Sequence, residues 1–155
     1  MIHLIAVGTK CTQWAEMGFQ DYQKRLPAEC KLNLITIPAS KRSKKSEISK
    51  HIAEEEKKIL AAIPKRSRII ALAIQGQMLN TQQLAQTLQQ WQLERQNVSL
   101  LIGGPDGLGN CCIKKAELIW SLSPLTLPHA LVRIVIAEQL YRAWSLLNNH
   151  PYHRE

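Results

Sequence analysis

The stretch Val98-Ser99-Leu100-Leu101-Ile102-Gly103-Gly104-Pro105-Asp106-Gly107-Leu108-Gly109 decides how this chain is read. An apolar run passes directly into a segment holding four of the chain's seven glycines. A short apolar run bounded by turn residues predicts a buried strand, and the glycines predict a tight turn at its carboxyl end. The same arrangement recurs upstream, at Ile2 to Val7 before Gly8, at Leu32 to Ile37 before Pro38, and at Ile69 to Ile74, ended by Gly76.

Helical patterns lie between these runs. Residues 12 to 26 form one, and Ser46 with Ser49 opens a charged one that reaches about Ile63 before Pro64. In that helix Glu54, Glu55 and Glu56 against Lys57 and Lys58 read as a solvated face. Asn80 or Thr81 caps a third, with Leu84, Leu88 and Trp91 at helical spacing. A short helix after the glycines, an apolar stretch and a long helix from about His129 to Asn148 complete the chain. Strands alternating with helices predict an α/β fold with a mainly parallel sheet flanked by helices. At 155 residues the chain suffices for one domain, residues 1 to 155, since a chain of this size buries roughly 70% of its unfolded surface.

The formal net charge of +8 favours an anionic partner, nucleic acid ahead of membrane. No apolar run approaches the ~20 residues of a membrane span, and the N-terminus lacks the basic region and cleavage site of a secretory signal; a cytoplasmic protein is expected. Cys11, Cys30, Cys111 and Cys112 lack zinc-ligand spacing and read as free buried thiols, so no metal is expected. Asn97-Val98-Ser99 matches a glycosylation acceptor by chance. The last helix is more apolar than one core-facing stripe requires, at Leu131, Val132, Ile134, Val135, Ile136, Leu140, Tyr141, Trp144, Leu146 and Leu147. A homodimer is the favoured explanation and deeper burial in the monomer the alternative.

Ligands of parallel sheets bind at the strands' carboxyl ends, and glycine there admits close backbone approach. The cluster at 103 to 109 fails the dinucleotide fingerprint for want of G-x-G-x-x-G spacing. It fails the P-loop because Asn110 stands where lysine is required. Leu122-Ser123-Pro124-Leu125-Thr126-Leu127-Pro128-His129 is apolar yet interrupted by two prolines, which prevent regular pairing. Such a loop suits an adenine ring, with leucines on its faces and free backbone groups at its edge. A plain turn and a buried connector are the alternatives for these two segments.

Three segments resemble the ribosomal RNA large subunit methyltransferase H group of the SPOUT class. They are Ala6-Val7-Gly8-Thr9-Lys10, Leu101-Ile102-Gly103-Gly104-Pro105-Asp106-Gly107, and Leu125-Thr126-Leu127-Pro128-His129 through Arg133, Glu138 and Tyr141-Arg142-Ala143 to Tyr152-His153-Arg154. The similarity spans the whole chain. It implies a C-terminal trefoil knot, an exception to the rule against threaded loops. It implies S-adenosyl-L-methionine as methyl donor and N3 of a pseudouridine in 23S ribosomal RNA of the large subunit as target. Cofactor positions carry over to Leu72, Gly103, Leu122, Ser123, Pro124, Leu125, Thr126 and Leu127. Ala73 and Gln77 depart from the group, which usually has an acidic residue and a lysine there. Asp106 stands where relatives vary among Glu, Asn and Asp, and no indispensable role is assigned to it.

Methylation at an imide nitrogen requires loss of its proton, so a base or a cationic stabiliser is wanted. The terminal segment supplies candidates: His153 as proton acceptor, Tyr152 to stack on the extruded base, and Arg154 with Arg142 to hold phosphate or the developing anion. Read without the resemblance, these are a solvated tail and a surface salt bridge. Lys41, Arg42, Lys44 and Lys45, with Lys10, Lys24 and Arg25, form the expected RNA-facing surface, or a merely solvated one. A methyltransferase acting on tRNA or another RNA, and a non-catalytic RNA-binding module, are the competing functions.

Overall fold

A computed structural model describes residues 1–9, 11–41 and 47–153. The elements are β1 (Ile2–Val7), α1 (Gln13–Arg25), β2 (Leu32–Ile37), α2 (Ile48–Ala62), β3 (Ser67–Met78), α3 (Thr81–Glu94), β4 (Asn97–Ile102), α4 (Asn110–Lys115), β5 (Leu118–Ser121) and α5 (His129–Leu147). The strands make one sheet in the order β2-β1-β4-β3-β5, and every pairing is parallel.

Side chains of a strand alternate between faces, and here both faces are covered. Leu4 and Ala6 of β1 with Leu100 and Ile102 of β4 enter the larger core together with Phe19 of α1, Leu84 and Leu88 of α3, and Ile136 and Leu140 of α5. Ile5 and Val7 with Leu101 enter the smaller one, with Ile59 of α2 and Cys112 of α4. The central strands are therefore apolar throughout, which is why they read as uninterrupted runs. A fully buried leucine such as Leu140 contributes about 1.5–3 kcal/mol.

Asn80 caps α3 in a reciprocal box: its side chain accepts from the Gln83 amide at 2.8 Å, and the Gln83 side chain accepts from the Asn80 amide at 2.9 Å. Four expectations need correction. Gly76 does not end the third strand, which runs on to Met78. Leu72 and Gln77 both oppose Trp120 of β5, so residues 73–76 form a bulge between them. Gly76 permits this, because a Cβ there would lie 2.6 Å from the Ile119 carbonyl oxygen. The apolar stretch after the short helix is a fifth strand, β5. Glu55 and Glu56 are not a solvated face. Glu55 is 2% exposed and accepts from the Ser40 amide at 3.0 Å, while Glu56 accepts from the Cys112 amide at 2.9 Å. The four thiols are free, but only Cys30 and Cys112 are buried.

Candidate active site

A cavity of about 470 Å³ lies at the carboxyl ends of β4 and β5, beside the bulge of β3. That is the end where parallel sheets bind ligands, and the volume is that of a small-molecule site. The β3 bulge presents Ala73, Ile74 and Gln75 to it, the turn after β4 presents Gly103 to Leu108, and α5 adds His129 and Val132.

The glycine turn is set by close backbone approach. A Cβ on Gly103 would lie 2.3 Å from the backbone carbon of Gly107, and the Gly107 amide donates to the Gly104 carbonyl at 2.9 Å. Gly107 itself has φ +85°, the left-handed region that favours glycine. The proline-bearing loop is held by Ser123, whose hydroxyl accepts from the Leu125 amide at 3.0 Å and whose carbonyl accepts from the Ser121 hydroxyl at 3.1 Å.

Of the expected cofactor positions, Leu72, Gly103, Leu122, Ser123, Leu125, Thr126 and Leu127 line this cavity together, and Pro124 does not. Ile102, Gly104 and Trp120, with Ala73, Ile74 and Gln75 of the bulge, line it as well and are not among the expected positions. Gly104 is within the quoted turn, and Gly76, an isolated glycine inside a strand run, is the one mark of the bulge that the sequence carries.

The lining suits S-adenosylmethionine on charge as well as shape. Leucines and Trp120 offer apolar walls for a purine. In a chain of net charge +8, no lysine or arginine among the described residues lines this cavity, and Asp106 is the one carboxylate that they bring to its wall. His129 is held neutral: burial and then the nearby Arg133 charge lower its pKa, against the opposing influence of the Gly104 backbone and Glu55. A sulfonium cation meets no fixed positive charge there. The described residues contain no cluster of His, Cys, Asp and Glu able to hold a metal, and none of their helices is long and apolar enough to cross a membrane.

The terminal residues assemble elsewhere. Tyr152 donates to Glu138 at 3.0 Å, and its ring centroid lies 4.7 Å from that of Tyr141. Arg142 pairs with the same Glu138 oxygen at 2.7 Å and stands 5.0 Å from the centre of the Tyr152 ring. Burial, then hydrogen bonding to Tyr22 and Glu138, raises the Tyr152 phenol and keeps it protonated. The His153 amide donates to the His150 carbonyl at 3.2 Å. The structure thus joins Tyr152 to Arg142, and neither they nor His153 line the cavity at the strand ends of their own chain. Lys41 is exposed. Arg154, Lys10, Arg42, Lys44 and Lys45 lie outside the described residues.

The chain is similar to known proteins along nearly its whole length. The family model described as "Predicted SPOUT methyltransferase" matches residues 1–153. A probable methylase family protein from Haemophilus influenzae superposes with a TM-score of 0.58 at 12% identity, over 99% of this chain and 70% of that one. A Legionella pneumophila protein of the methyltransferase class, solved with its cofactor S-adenosylmethionine bound, gives 0.44 at 14% identity, over 90% of this chain and 64% of that one. The likeness to the Haemophilus influenzae protein is one of fold. Parallel sheet, cation-free cavity and a family match across both cores agree, and the chain belongs to the SPOUT methyltransferase family, with S-adenosylmethionine as its cofactor.

Proposed function

We propose that this chain is a 23S ribosomal RNA methyltransferase that acts, as a cytoplasmic homodimer, on N3 of a pseudouridine in the large subunit. The observation that carries this reading is the pairing of a cavity that the described residues leave free of lysine and arginine with an overall charge of +8. Cations are kept for a polyanion and withheld from the sulfonium. The whole-chain resemblance to the ribosomal RNA large subunit methyltransferase H group supplies the target, and with it the trefoil threading of the C-terminal part.

When bound, S-adenosylmethionine supplies an electrophilic methyl group. The work of this chain is placement, where oriented reactants gain most of their advantage. The walls from Leu72, Gly103, Leu122, Ser123, Leu125, Thr126 and Leu127 hold the cofactor and exclude water, and Asp106 and neutral His129 leave the cation unopposed. His153 takes the imide proton, Tyr152 stacks on the extruded base, and Arg142 with Arg154 holds the anion that develops. Tyr152 and Arg142 do not line their own chain's cavity, which supports a site completed by the tail of the second protomer.

The test is transfer of radiolabelled methyl groups to total tRNA, free large subunits and assembled ribosomes from cells lacking the modification. Label at N3 of a pseudouridine in 23S rRNA is expected. Label in tRNA alone would discard the target, and no label in any RNA would discard the substrate class.

A further inference from the structure

A second cavity, of about 270 Å³, opens on the α1 face of the sheet, near the carboxyl ends of β1 and β2. Arg133 of α5, Glu16 and Gln20 of α1 and Thr36 of β2 give it polar walls, and Phe19 and Leu34 give it apolar ones. Arg133 is 5% exposed, donates to the Gly8 carbonyl, and has a buried Nε with no partner. Its neighbours His129 and Val132 line the cofactor cavity, so the first turns of α5 stand between the two spaces.

Size and charge restrict what this cavity can hold. It falls below the ~300 Å³ at which pockets for drug-sized ligands begin, which leaves room for a single ring system. An anion would face Glu16, and a cation would face Arg133. An uncharged ring with both donors and acceptors satisfies the two together. The edge of a nucleobase has this character, and proteins that read RNA hold unstacked bases between apolar side chains with polar groups at their edges.

We propose that this cavity receives an unstacked nucleobase of the RNA substrate adjoining the methylated one, with Arg133 donating to its acceptors and Glu16 accepting from its N–H groups. The proposal rests on the reading of the chain as an RNA methyltransferase.

Cys11 also lines this cavity and is partly exposed, Cys111 is exposed and does not line it, and Cys30 and Cys112 are buried. The full chain would be alkylated with iodoacetamide, with and without 23S rRNA from cells lacking the modification, and each cysteine followed by mass spectrometry. The RNA is expected to slow alkylation of Cys11 about tenfold and to leave Cys111 unchanged. Thr36→Trp, at an exposed position of the edge strand β2, fills the space. It should raise KM for RNA about tenfold, the loss of one well-made contact, with kcat and cofactor Kd within about twofold. Glu16→Gln should give a smaller rise.

An unchanged Cys11 rate with RNA bound, or an unchanged KM for Thr36→Trp, overturns the proposal. So does protection of Cys11 in the protein alone that disappears on dilution, which would make the cavity an interface between copies. If the wild-type chain methylates 23S rRNA and these results are negative, only the base pocket fails. If it methylates no RNA, the parent reading fails.

Discussion

A methyl group on Gly104 would lie 2.4 Å from Oε2 of Glu55, a buried carboxylate whose other oxygen is tied to the Ser40 amide. The glycine turn of the cofactor cavity is thus packed against α2 through a side chain that is not free to swing aside. Gly104→Ala should destabilise the fold by roughly 1–3 kcal/mol, as overpacked sites do, and weaken cofactor binding. Thermal unfolding and calorimetric titration check this; a Tm and Kd equal to wild type would show that Glu55 yields without cost.

Gly103 and Gly107 should separate in their effects. At Gly103 the obstacle is backbone, so Gly103→Ala must open the turn, and cofactor affinity should fall at least about tenfold. At Gly107 a Cβ meets nothing within 4 Å, and the penalty is only the positive φ, roughly 1–2 kcal/mol. Gly107→Ala should therefore lose stability while retaining most cofactor binding. Equal loss of affinity in both variants would contradict this account of the turn.

Tyr152, in the tail beyond Asn149, is built into the helical face. Truncation there removes the Tyr152 bond to Glu138 and its packing on Tyr141. Stability should drop by about 1–3 kcal/mol, in line with one charged hydrogen bond and one aromatic contact. The fold should persist and methylation should disappear. A folded truncate with full activity would refute the catalytic assignment of Tyr152, His153 and Arg154.

Stability should decline in alkali. Burial raises the Cys30 thiol from 9.0 to about 11 and the Cys112 thiol from 9.0 to about 12. Above pH 9 the unfolded chain releases these protons while the folded chain keeps them. The stability present below pH 9 is therefore lost as pH rises towards each folded value, by up to roughly 1 kcal/mol per pH unit for each thiol. Urea denaturation at pH 8 and pH 10.5 measures the difference, and replacing either cysteine by alanine should flatten it. An identical slope in both variants would reject the thiols as its source.

The parallel α/β arrangement and the position of the cavity at the strand ends are legible because buried strands and glycine turns leave local marks. Val98 to Gly109 shows both. The bulge at residues 73–76 leaves only Gly76 as a mark, since it arises where Leu72 and Gln77 compete for Trp120 across the sheet. β5 was overlooked because four residues are too few to display a period. Glu55 and Glu56 were misread because their amide partners, Ser40 and Cys112, lie 15 and 56 positions away and no local pattern signals them. Most of the cofactor loop was placed by resemblance and then found on the cavity wall.

The helix that packs on both α1 and α3 is α5, the last element of the chain. A growing polypeptide leaves its ribosome N-terminus first, and domains complete themselves as units. Until α5 is made, Leu4, Leu100 and their neighbours on that face have only the partial cover of α1 and α3. A nascent chain halted between residues 121 and 129 has every strand present and its main layer incomplete, because the helix that bridges α1 and α3 has not been made.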